Sequence, residues 1–111
     1  MIYEDLKGKK VLVTGSSSGI GAATAKMFAE QGCFVGVHYF KTKEGGEKTF
    51  AEVKKISNGC LLKADIRDKK QVVKLIKDFA KTAGGIDILV NNAGSLIDRQ
   101  FFADEIGRAH V

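Results

Sequence analysis

The stretch Thr14-Gly15-Ser16-Ser17-Ser18-Gly19-Ile20-Gly21 constrains what this chain can fold into more than any other. It follows the apolar run Val11-Leu12-Val13 and opens a helical pattern. A buried strand that meets a helix through glycines is what a phosphate-binding turn requires. The first glycine lets the chain turn sharply, and the others let backbone and helix approach a pyrophosphate and the sheet. The first turn of the helix then offers unpaired N–H groups and the positive end of its dipole to an anion.

The rest of the sequence reads as repeats of strand and helix. Lys9–Thr14 is a strand buried on both faces, and Gly19–Gln31 is a helix with an inward stripe of Ile20, Thr24, Met27 and Phe28, ended by Gly32. Phe34–Tyr39 is a second strand, Phe40–Gly46 a loop, and Glu47–Ile56 a helix with Phe50, Val53 and Ile56 facing inward. Asn58-Gly59 reads as a turn before a strand at Cys60–Lys63. Asp68 caps a third helix that runs to Ala83 with Val72, Leu75, Ile76 and Phe79 inward, and Gly84-Gly85 stops it. Ile86–Val90 is the fourth strand, followed at once by Asn91-Asn92-Ala93-Gly94. This order predicts an α/β fold: a doubly wound parallel sheet of strand order 3-2-1-4, truncated after the fourth strand, with the first two helices on one face and the third on the other. Ligand belongs at the C-terminal edge of the strands. Four stretches meet there: Thr14–Gly21, Tyr39–Thr42, Asp65–Ile66 and Asn91–Gly94.

Composition narrows the function. No apolar run spans a bilayer, and Met1–Lys10 lacks the apolar core of a secretory signal, so the reading is cytoplasmic with no membrane partner. Cys33 and Cys60 read as small buried hydrophobes, and His38 and His110 stand at no metal-ligand spacing from them, so no metal site is expected. The net charge of +5 comes from 18 basic and 13 acidic residues. The lysines are dispersed at helical spacing, as on a solvated face, which ranks a nucleic-acid partner last.

The glycine turn, preceded by Thr14 at the first strand of a βαβ repeat, and the Asn91-Asn92-Ala93-Gly94 run at the end of the fourth strand together resemble the short-chain dehydrogenase/reductase family, in particular its 3-oxoacyl-[acyl-carrier-protein] reductase-like members. The resemblance runs from Lys7 to Phe102 and implies the N-terminal part of a single Rossmann-like domain that binds NAD or NADP. It implies that Gly15, Ser17, Gly19, Ile20 and Gly21 surround the phosphates and adenosine ribose. Asp65 and Ile66 would lie against adenine, and Asn91, Ala93 and Gly94 would line the ribose side.

An acid about twenty residues past the turn would hold the ribose 2′-hydroxyl of NAD. The stretch Val37–Lys43 has none before Glu44, whereas Lys41, with Thr42 beside it and Tyr39 before it, offers a cation to a 2′-phosphate. NADP is therefore favoured over NAD. The family's reaction is hydride transfer between nicotinamide and a carbonyl or alcohol substrate, with a Tyr as general acid/base and a Lys four residues later. No catalytic residue of that set is placed in this sequence; Tyr39 and Lys43 share the spacing but sit at the adenosine end. The expectation is an enzyme as the full-length protein, a homodimer or homotetramer, and an inactive 111-residue chain. The second reading is a non-catalytic dinucleotide-binding redox sensor on the same fold. Glu105–Val111 matches an in-frame translation of a widely used sequencing adapter and is expected to be a non-native tail behind a native segment that ends at Asp104.

Overall fold

A computed structural model of the chain describes residues 5–92 and 104–108. Its elements are β1 (Lys10–Val13), α1 (Gly19–Glu30), β2 (Phe34–Tyr39), α2 (Lys43–Ile56), β3 (Asn58–Lys63), α3 (Lys69–Ala83) and β4 (Ile88–Val90). The four strands form one parallel sheet in the order β3-β2-β1-β4, as the alternation of elements predicts. Val11 pairs with Val35 on one side and Ile88 on the other, which puts the ends of β1, β2 and β4 at one edge.

Alternation along the strands divides the core. Val11, Val13, Val35 and Val37 pack against Ala25 and Ala29 of α1 and Val53 of α2. On the opposite face Leu12 packs with Leu75 and Phe79 of α3 and with Ala64 and Ile86. Each fully buried aliphatic or aromatic side chain there contributes about 1.5–3 kcal/mol. The three residues of β4 are only half-buried because β4 is an edge. Residues 104–108 form a helical turn in which Glu105 pairs with Arg108. Ile106 of that turn packs with Leu89 on Val72 and Ile76.

Both helices on the valine face pack through small residues, which corrects the stripes expected from apolarity. In α1 the buried positions are Gly21, Ala25 and Ala29, while Ile20 and Met27 are 78% and 62% exposed. In α2 they are Gly46, Thr49 and Val53, and Ile56 is exposed. Close approach of helix to sheet selects for residues with little or no side chain, and Ile20, Met27 and Ile56 are left on the outer flank, while Phe28, Phe50 and Val53 face the valine cluster as their spacing predicts. Helix α2 also starts at Lys43, not Glu47, because Gly45 and Gly46 belong to its first turn. A Cβ on Gly45 would stand 2.3 Å from the Ser17 carbonyl oxygen, and one on Gly46 would stand 2.7 Å from the Tyr39 ring. Asn58-Gly59 is the start of β3, in register with Phe34 and Val35, and not a turn. Helix α3 follows its pattern: Asp68 accepts from the Lys70 amide, and Gly84 closes the helix at φ 84°.

Gly36 is the tightest point beneath α3. A Cβ there would lie 2.6 Å from two carbons of the Phe79 ring, which is fully buried. Gly36→Ala is expected to lower stability by about 1–3 kcal/mol in urea unfolding, the cost of overpacking a closed core; an unchanged midpoint would contradict this packing.

Candidate functional site

Three strand ends converge on the glycine turn through backbone groups. The Thr14 amide donates to the Val90 carbonyl at 3.0 Å, and its hydroxyl accepts from the Asn92 amide at 3.0 Å. The same hydroxyl lies 3.4 Å from Asn91 Oδ1. Gly15, at φ 63°, donates its N–H to His38 Nδ1 at 2.9 Å. Its carbonyl accepts from Asn92 Nδ2 at 3.1 Å. The Ser16 side chain turns inward: its hydroxyl donates to the Val13 carbonyl at 2.9 Å and accepts from the His38 amide at 2.8 Å. The Ser16 amide donates back to the His38 carbonyl at 3.0 Å. Gly21 closes the turn. A Cβ there would fall 2.1 Å from the Gly15 carbonyl oxygen and 2.6 Å from Asn92 Nδ2, so only glycine lets α1 begin so close to β1 and β4.

The outer side of the turn is open. Ser18, Gly19 and Ile20 are exposed and Ser17 half-buried. The Ser18 side chain makes no capping bond to α1, and no acid lies in the helix's first turn. Helix α3 differs, since its own Asp68 caps it. The α1 terminus thus keeps its dipole end for an external anion.

The ends of β2 and β3 form the adjoining edge. Tyr39 is buried beneath Gly46 of α2, while Lys41 and Thr42 are exposed. Lys41 Nζ lies 5.9 Å from the centre of the half-buried Phe40 ring, and the Arg67 guanidinium lies 5.8 Å from it. Asp65 is held by Arg67, with Nε at 3.0 Å and Nη2 at 3.1 Å from its two oxygens. The Arg67 pairing, with the Arg67 amide and the charge of Lys41, holds the Asp65 carboxyl below its ordinary range. Ile66 is half-buried against the Leu12 and Val72 clusters. Asn91 is exposed at the end of β4, while Ala93 and Gly94 lie outside the described residues, as does His110.

The structure therefore brings Gly15, Ser17, Gly19, Ile20, Gly21 and Asn91 together at one strand edge, with Lys41, Thr42 and Asp65 on the adjoining edge. The sequence does not single out His38, Gly45 or Arg67, whereas Asn92, part of the strand-end asparagine pair, does bond a backbone group of the neighbouring turn. For His38 a signal was available: a polar residue inside a strand buried on both faces must find partners. Among the described residues no group of three His, Cys, Asp or Glu is placed to hold a metal, and no helix is long and apolar enough to cross a membrane. Cys33 is buried and Cys60 half-buried; both are free, and burial pushes the Cys60 thiol up to about 11.

A parallel sheet of order 3-2-1-4, with a glycine turn at its switch between β1 and β4, defines the nucleotide-binding part of a doubly wound α/β protein. The short chain dehydrogenase family matches residues 9–107, and the chain belongs to that family. It is 39% identical over 94 residues to 3β-hydroxysteroid dehydrogenase 1 of Eggerthella lenta, a match that covers 84% of this chain and 36% of that protein. It is 40% identical over 87 residues to the 3-oxoacyl-[acyl-carrier-protein] reductase FabG of Staphylococcus aureus, covering 78% of this chain and 35% of the reductase. The resemblance to reductases of that kind is borne out. Among solved structures, the NADH-dependent reductase A1-R′ complexed with NAD superposes with a TM-score of 0.75 at 33% identity, over 95% of this chain and 48% of that one. The chain spans about a third of the length of these curated relatives.

Thr14 is fully buried, and its hydroxyl is the clamp between β1 and the Asn92 amide. Thr14→Val keeps the shape and removes that acceptor. Amide hydrogen exchange at Asn92 is expected to quicken about tenfold, as for loss of one buried hydrogen bond; unchanged exchange there would rule the clamp out.

Proposed function

We propose that this chain is the dinucleotide-binding part of an oxidoreductase that transfers hydride between a nicotinamide cofactor and the carbonyl or alcohol carbon of a small molecule. The observation that carries this reading is the open N-terminus of α1 on a turn with no room for a side chain at Gly21. In this reading the pyrophosphate lies on the exposed outer side of the turn. Gly15, Ser17, Gly19, Ile20 and Gly21 surround the phosphates and adenosine ribose, Asp65 and Ile66 face the adenine, and Asn91, Ala93 and Gly94 line the ribose side. Tyr39 supports α2 from below, so its contribution is to place Lys41 and Thr42. When bound, the cofactor would donate hydride to a carbonyl carbon or accept it from an alcohol carbon. This chain's residues bind and orient it, and the general acid/base Tyr with its Lys comes from the part of the protein that the relatives' length implies.

NADP is the cofactor this reading favours. No carboxylate stands between Val37 and Lys43, Lys41 is exposed at the edge, and Asp65 across from it is paired with Arg67. A cytoplasmic enzyme that assembles as a homodimer or homotetramer, and a 111-residue chain that is inactive alone, belong to the same proposal.

Titration of NADPH and NADH into the full-length protein tests it. NADPH is expected to bind more tightly, and Lys41→Ala to weaken NADPH about tenfold while leaving NADH within about twofold, the effect of one charge-assisted hydrogen bond. Tighter binding of NADH by the wild type would remove the NADP assignment, and binding of neither would remove the dinucleotide reading.

A further inference from the structure

Among the described residues, His38 is the one buried titratable side chain at the sheet edge that the proposed reaction does not use. It is 1% exposed, and both ring nitrogens are engaged with backbone groups of different elements. Nδ1 accepts from the Gly15 amide at 2.9 Å, and Nε2 lies 2.8 Å from the Ala64 carbonyl oxygen. A carbonyl accepts only, so Nε2 carries the proton and the imidazole is neutral. Through its backbone the same residue exchanges hydrogen bonds with Ser16. One side chain thereby ties the first glycine of the turn to the residue past the end of β3.

We propose that His38 is a positioning residue of the dinucleotide site: its neutral imidazole fixes the Gly15 peptide, and with it the phosphate turn, against the ends of β2 and β3. The inference rests on the dinucleotide reading of the turn. Its chemistry is a single proton. Uptake of a proton from solvent at Nδ1 would place an N–H donor against the Gly15 N–H donor. The Gly15 hydrogen bond is then lost and two donors oppose each other in a buried space. The turn must shift to relieve them, and the amides that would face the pyrophosphate shift with it.

No nearby charge among the described residues sets the titration. The turn and the first half of α1 contain no ionisable side chain between Lys10 and Lys26. At the end of β3 stand Lys63, Asp65 and Arg67, with Asp65 and Arg67 paired. Past β2 stands Lys41, at the start of α2 Lys43 and Glu44, and at the start of α3 Asp68, all of them exposed. Tyr39 is held under Gly46. Burial lowers the His38 pKa from its ordinary 6.5, opposed by the hydrogen bond to Ala64. The folded state therefore prefers the neutral ring. The stability that this ring contributes is fully present above pH 6.5 and is lost as the pH falls below it toward the lowered value.

The test is NADP⁺ affinity of the full-length protein from about pH 7.5 down through the midpoint of the His38 ring, followed by its own resonances, for the wild type and for His38→Asn. Asparagine places an acceptor where Nδ1 stands and does not titrate. The 2′-phosphate titrates near about pH 6 in both proteins and cancels in their ratio. Wild-type affinity is expected to fall about tenfold more than that of the variant over this range, as for loss of one buried hydrogen bond. Identical profiles would overturn the role of His38 alone. Absence of binding at the upper pH would overturn the dinucleotide reading and this inference with it. A second measurement needs no variant: in the wild type the Gly15 amide and His38 ring resonances are expected to titrate with one midpoint. Separate midpoints would contradict the inference.

Discussion

The site depends on how closely backbone can approach backbone at Gly15. Its amide reaches the His38 ring, its carbonyl reaches the Asn92 side chain, and the Gly21 Cα sits where any Cβ would collide with that carbonyl. Three strand ends and the first turn of a helix therefore meet around one peptide. Side chains of ordinary size would push them apart, and the α1 terminus would no longer stand over the edge of β1. The small residues elsewhere serve the same end. Ala25 and Ala29 keep α1 down on the valines, and Gly45 lets the first turn of α2 come against Ser17.

Electrostatics at this edge follow from what the packing leaves open. The α3 terminus is satisfied by Asp68, whereas those of α1 and α2 make no side-chain capping bond. Unpaired amides at a helix start favour an anion. Asp65 at the neighbouring edge is held in a two-point pair with Arg67, and Lys41 stands exposed and unpaired by that carboxylate beside Phe40. An edge of this kind matches a ligand with phosphates along its length and a flat base at one end.

Much of the fold was legible in the sequence because its signals are local. Strand order followed from alternating elements, and both ends of α3 from Asp68 and Gly84. Apolar size reports burial along α3 and at Phe28, Phe50 and Val53, but not at Ile20, Met27 and Ile56 of α1 and α2. Where a helix must lie close to a sheet, Gly21, Ala25 and Gly46 win the contact, and Ile20 and Met27 are displaced outward. The start of α2 was misread for the same reason: Gly45 and Gly46 resemble a loop until Ser17 and Tyr39 are seen above and below them. Of the site, the glycine turn and Asn91 were readable from spacing. Its supports, His38 and Asn92, act on backbone groups roughly twenty and more residues away in sequence, so a buried polar position or a strand-end asparagine marks them as needing partners while the partner, Gly15, is visible only in the fold.

The central claim is that a dinucleotide lies on the outer side of Thr14–Gly21 with its pyrophosphate over the α1 terminus. The most direct measurement is backbone amide NMR of the full-length protein as NADPH is added. The account predicts that the largest shifts fall on Ser18, Gly19 and Ile20, with smaller ones at Lys41, Thr42 and Asp65. Shifts concentrated instead in the groove between β3 and α3, around Leu62, Lys74 and Leu75, with the glycine turn unmoved, would contradict it.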